Sequence, residues 1–338
     1  MVRRFQPSLI GVLLAVILAC ASRSAVGEDR VELAPTKDGK PGATMRGEIV
    51  EIHGGQIRLK RADGREDVVP LARVARYHTA WPEGLEAGDR QRREGRFDEA
   101  LESYRGAAAR DMRAWVKRVL AARAVVCFRE SERPLKAGEL FLSLYQTDPE
   151  TPHFEALPLA WSTTESTSEL RNAATRWLSA QDSPAAVLLG ASWLLAVGQP
   201  GSAVEPLRQL TTQRDPRIAL LAEAQLWRVR LATAGESDVE SWERIVPRLP
   251  SLLRAGPYFV LGQAWARFDQ RERAALSLLR VPIEYPEHYR LASEALELAA
   301  RQLDQLERRD EAARLRREQA ARFPTGPKNP ALDPSANR

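Results

Sequence analysis

Glu94-Gly95-Arg96-Phe97-Asp98-Glu99-Ala100-Leu101-Glu102-Ser103-Tyr104, preceded by Ala87-Gly88-Asp89 and followed by Ala107-Ala108, decides the fold. Gly95 separates two segments of helical period, and a glycine there accepts a left-handed turn without strain. Gly88 and Ala100 are small where two helices of a hairpin must approach, while Phe97 and Tyr104 are large enough to fill the seam with a neighbour. The pattern returns in looser form around Ala137, Ala203, Ala274 and Ala312, so the aligned alanines step by 37, 66, 71 and 38 residues. Two steps are close to one unit of about 34 residues and two to a pair of units. Prolines close several copies (Pro149, Pro216, Pro286, Pro324), as expected of a residue that cannot continue a helix.

The stretch resembles a tetratricopeptide repeat: Gly88, Gly95, Phe97, Ala100, Tyr104 and Ala107 match that family's pattern. The likeness spans roughly residues 84–324, and its tail half, closing at Tyr285-Pro286 and Phe323-Pro324, looks similar to repeat domains of periplasmic and outer-membrane assembly proteins. It implies an α-solenoid of helical hairpins over 84–150 and 181–324, with a degenerate hairpin (Ala224, Leu226, Trp227 and Leu231, then Trp242 and Ile245) in the empty slot. It also implies that the first helix of each unit lines a concave groove. Carried over, this puts Arg92, Arg129, Phe259, Gln263, Arg267 and Arg301 on the inner wall beside Leu195, a surface suited to an extended or helical peptide with acidic groups. The alternative is that these arginines pair with Asp89, Glu130 or Asp304. Leu85, Ala122, Leu188 and Phe259 stand where some relatives place carboxylate-gripping lysines, so no such clamp is expected.

Between the two blocks, residues 151–180 form an insertion. A Pro/Ser/Thr-rich loop to residue 167 leads into a helix with Leu170, Ala174 and Leu178 on one face. Trp161 in the loop is a candidate exposed interface anchor. The other helical tryptophans belong to the core.

Upstream, residues 28–80 alternate in the manner of strands: 45–52, 56–60, 67–70 and 74–77. Gly54-Gly55 and Asp63-Gly64 mark the turns, the latter expected to be a primed hairpin with positive φ at both central residues. The fold class is therefore mainly α, a solenoid preceded by a small antiparallel β module, either an SH3-like barrel or a meander.

Arg3 and Arg4 precede an uncharged apolar run from Leu9 to Ala21, too short for a membrane span of about 20 residues. Residues 1–27 thus have the form of a signal peptide, cleaved after Ala25-Val26-Gly27. The alternative is a lipoprotein signal ending at Ile17-Leu18-Ala19-Cys20, with Cys20 acylated. Either form places the protein in the periplasm or cell envelope. Without Arg3, Arg4 and Arg23 the chain keeps 47 bases against 45 acids, which is no nucleic-acid footprint. Cys127, within an apolar run, is expected to be a buried hydrophobe. Residues 325–338, proline-rich and poor in apolar side chains, are expected to be disordered.

Chemistry is sparse. The four histidines (His53, His78, His153, His288) do not stand at metal-ligand spacing, and there is no phosphate loop or nucleophile motif. No cofactor or metal is expected. The sequence points to a scaffold that binds an envelope protein or peptide. An envelope enzyme at the junction of the β module and first repeat is the alternative from another class.

Overall fold

The computed structural model describes residues 28–323 apart from 36, 37 and 39, so both residues 1–27, expected to be a signal peptide, and residues 324–338, expected to include a disordered tail, lie outside the described residues. These divide into two compact units: one up to Pro82 together with Arg113–Trp115, the other Glu83–Met112 with everything from Val116 onward.

The first unit is an antiparallel sheet of β1 (Asp29–Leu33), β2 (Thr44–His53), β3 (Gln56–Lys60), β4 (Glu66–Pro70) and β5 (Val74–His78) in the order β4-β3-β2-β1-β5. Because β5 returns to pair with β1, this is not a simple meander. Alternation buries Val31, Ile49, Ile52, Ile57, Leu59 and Val69. Trp115 closes this core: its indole donates to the Ile49 carbonyl (3.1 Å) and meets Tyr77 and Trp81 edge-on. The primed turn falls at Gly54-Gly55, where both φ angles are positive. At Asp63-Gly64 only Gly64 is left-handed. The Gly64 amide donates to the Arg61 carbonyl, and a three-residue loop absorbs the reversal with one glycine rather than two.

The second unit is helical, and the described residues of the whole chain hold thirteen α-helices. The first hairpin is α1 (Leu85–Arg93) with α2 (Phe97–Arg110), the second α3 (Ala114–Glu130) with α4 (Pro134–Thr147). After residues 148–167 come α5 (Ser168–Ser179), α6 (Pro184–Ala196), α7 (Pro200–Leu210), α8 (Pro216–Arg230) and α9 (Glu236–Ile245). Last are α10 (Ala255–Arg267), α11 (Arg271–Glu284), α12 (Tyr289–Gln305) and α13 (Arg309–Arg322). Consecutive helices pack on one another, and α6, α8, α10 and α12 form a row of neighbours. The α8–α9 pair fills the degenerate slot, with Trp227 and Trp242 stacked at 5.4 Å. The inserted α5 continues the stack: Trp177 occupies the space in front of Gly138 on α4, and the α5 backbone lies against Gly190 of α6.

The five aligned alanines are all fully buried. Five residues before each stands a left-handed residue: Gly95, Glu132, Gly198, Asp269 and Glu307. At each turn the next amide donates to the carbonyl five residues earlier, the 6→1 bond of a Schellman motif, as from Arg96 to Gln91 (2.9 Å) and from Arg308 to Leu303 (2.9 Å). The turn geometry is thus conserved within the chain even where glycine is not. Glu307→Gly should raise stability by about 0.5–1 kcal/mol by removing left-handed strain, whereas Glu132→Gly and Asp269→Gly should gain less, because they also remove ion pairs to Arg290 (2.8 Å) and Arg271 (2.6 Å). Thermal unfolding of the three variants checks this.

The array closes on itself. The Tyr289 hydroxyl donates to the Arg93 carbonyl, and its ring meets Phe97 edge-on at 5.3 Å. Glu130, at the end of α3, accepts the Arg290 amide in the first turn of α12 (3.0 Å), a cap supplied from 160 residues away.

Candidate protein-binding surface

Residues 148–164 form a strap against α6, α8, α10 and α12 that turns through a short 3-10 helix at Phe154–Ala156 and then runs without regular structure. It is anchored first by Arg217 of α8. This guanidinium donates to the carbonyls of Pro149 (2.8 Å) and Thr151 (3.1 Å), stacks over Phe154 at 4.2 Å, and is oriented by Asp215 at 2.7 Å. Phe154 enters a cluster with Phe141 and Tyr145 of α4. From Ala156 to Ala160 every residue is buried. Trp193 of α6 donates to the Pro158 carbonyl (2.9 Å).

The second anchor is a convergence on Ala160. Its amide donates to Ser192 Oγ (2.9 Å), while its carbonyl accepts from Ser192 Oγ (3.0 Å), Gln225 Nε2 (3.1 Å) and Arg228 Nη1 (2.9 Å). Arg228 reaches the Ser162 carbonyl as well (3.4 Å). Trp161 packs over Gly256 of α10 so closely that a Cβ there would fall inside the indole. Trp161 is half-buried rather than exposed, with its indole packed on the cores of both the earlier and the later hairpins. From 163 to 169 every residue is exposed.

Arg228 is a cation held by neutral oxygens: its other partners are the Gln225 side-chain oxygen (2.6 Å) and the Ser192 carbonyl (3.3 Å). Burial alone lowers its pKa to about 10. On the strap, burial pushes the Glu155 carboxyl up to about 7, with Glu287 adding to the rise and Arg129 and Arg217 opposing it. Burial, with Arg123 and Arg118 nearby, lowers His153 to about 4. His288 is pushed well below its usual value by burial and by Arg129.

The six groove residues do not form one surface. Arg92 is half-buried, with an Nε that has no hydrogen-bond partner, and its charge acts on Tyr104, Cys127 and Tyr289. Arg129 bonds Glu130 (2.6 Å) and the Glu287 carbonyl (3.3 Å) at the closure of the array, with only 12% of its side chain exposed. Phe259 is wholly enclosed in the core of the later hairpins, so it cannot line a groove. Gln263 is half-buried on α10. Arg267 binds the carbonyls just beyond α8, including Ala232 (2.9 Å), where a cation suits the negative end of that helix. Arg301 pairs with Glu297 on its own helix (3.0 Å). Leu195 packs against the core of the earlier hairpins. What sequence reasoning missed is the set Ser192, Gln225 and Arg228. A signal was present: residues 154–161 are almost wholly apolar, which a solvated loop would not be.

Cys127 is a buried free thiol, and burial lifts its pKa to about 12. It should resist an alkylating reagent at pH 8 until the chain is unfolded, as intact mass would record. Among the described residues, no helix is long and apolar enough to cross a membrane, and no group of three or more His, Cys, Asp and Glu could hold a metal ion. No protein-family model matches this sequence, and no curated protein matches it.

Proposed function

We propose that the chain is an exported scaffold of the tetratricopeptide-repeat type that binds another protein or a peptide in the bacterial envelope. The observation that carries this reading is the inner row of α6, α8, α10 and α12, whose side chains hold an extended length of polypeptide through its main chain. The recurring left-handed turn before each buried alanine favours the repeat assignment. Export rests on the charge and apolar pattern of residues 1–27.

Two measurements test the proposal. Intact mass of the protein recovered from a bacterial envelope should show a chain starting at Glu28, or an acylated Cys20. A full-length chain left in the cytoplasm would remove the export reading. Photo-crosslinkers placed singly along residues 163–169 and on the exposed faces of α11 and α13 should trap one discrete partner in living cells. Absence of any adduct from every position would remove the scaffold reading. Reversing the charge of Arg92, Arg129, Arg267 and Arg301 together would not test the reading, because Arg129 and Arg267 hold the array together.

A further inference from the structure

We infer that residues 157–162 are an in-cis occupant of a peptide-binding site built by Ser192, Trp193, Gln225, Arg228 and Gly256, and that its exchangeable ligand is an extended segment of the same chemistry, apolar-Pro-apolar-small-aromatic, from another polypeptide. The inference deepens the scaffold reading and rests on it for the existence of a partner.

Three observations carry it. The hydrogen bonds from the site run to main-chain atoms of the strap: the carbonyls of Pro158, Ala160 and Ser162 and the amide of Ala160. A receptor that reads the main chain holds any extended segment whose side chains fit, which is how peptide sites divide affinity from specificity. Side-chain selection adds to this: Leu157 and Leu159 are enclosed in the core of the earlier hairpins, and Gly256 leaves room for the Trp161 indole. Finally, Arg228 is desolvated opposite carbonyl dipoles, with no carboxylate among its hydrogen-bond partners. A loop needed only for stability is held more economically by apolar burial, because an enclosed charge loses its hydration. The strap also has a way out: beyond Thr164, whose amide bonds the Ala196 carbonyl (3.0 Å), the exposed residues 165–167 join it to α5.

The test uses the full chain and a fluorescein-labelled peptide of residues 155–163. Trp161→Ala in the full chain removes the indole from Gly256 and loosens the resident strap. This variant should bind the labelled peptide saturably in fluorescence anisotropy, at least tenfold more tightly than the parent does. Adding Arg228→Met should weaken that binding at least tenfold, and a peptide carrying Trp161→Ala should not bind. No saturable binding to a Trp161→Ala chain with parental helical content overturns the inference. If that variant fails to fold, amide exchange of the parent decides. Exchange at Ala160 and Trp161 through an opening insensitive to denaturant supports the inference, and exchange only on global unfolding overturns it. The peptide result concerns this site alone, so a scaffold that grips its partner elsewhere would still give crosslinks while failing here.

Discussion

A Glu155→Gln chain is expected to be more stable than the parent above pH 7 by about 3 kcal/mol, and no different from it below pH 4.5. Glu155 is enclosed by the strap, with Glu287 near it. Arg129 and Arg217, the adjacent cations, already direct their hydrogen bonds to Glu130, Asp215 and main-chain carbonyls. Its folded pKa is therefore raised, and the folded chain holds a proton that the unfolded chain releases. That contribution is complete below pH 4.5 and is lost as pH rises to about 7. His153, two residues earlier, titrates in the opposite sense. Its folded pKa of about 4 lies below the ordinary 6.5, so stability is lost as pH falls between those values. A neutral His153→Asn chain should gain about 3 kcal/mol at pH 4 and nothing above pH 6.5. The two slopes cancel between about pH 4.5 and 6.5, so the parent should be nearly flat there while each single variant slopes. Urea midpoints at half-unit pH intervals measure this; parallel profiles for all three chains would refute it.

The second large effect is steric. Gly190→Ala is expected to cost about 3 kcal/mol, at the upper end of overpacking penalties. The added Cβ would collide with the Leu178 backbone nitrogen and lie 2.5 Å from the Ala174 carbonyl oxygen. Both neighbours are main-chain atoms of α5, so no rotamer change relieves the clash and the whole helix must withdraw from α6. Gly106→Ala is the internal control. It lies within α2 with nothing within 4 Å of the added carbon, so it should gain about 1 kcal/mol from helix propensity. Thermal unfolding of both variants separates a packing requirement from a general intolerance of substitution.

The hairpins were legible because their close crossings admit only small side chains, and that demand leaves a written period in Ala100, Ala137, Ala203, Ala274 and Ala312. Their turns were less so: Glu132, Asp269 and Glu307 adopt the left-handed conformation without being glycine, which hides them from a search for Gly95-like signals. β1 is not signalled locally because its only alternating pair, Val31 and Leu33, is too short a run to read as a strand. Its place in the sheet comes from long-range pairing with β2 and β5. The candidate surface was the least legible part. Positions carried over from an open array assume that the inner wall faces solvent. Here the array's own closure takes up Arg129 and the strap covers Ser192 and Gln225, and neither relation has a local periodic signature.

The contact of Tyr289 and Arg290 with Arg93 and Glu130 sets how this array melts and how it can change in length. A linear stack behaves as a one-dimensional chain of nearest neighbours: it frays from either end, and units can be gained or lost one at a time. Tying the start of α12 to the first two hairpins pins that end of the line and leaves α13, which packs on α12, as the edge that can fray. Deleting the last hairpin would then uncover the first two, and inserting one would carry Tyr289 away from its partner, so the number of hairpins is fixed by geometry.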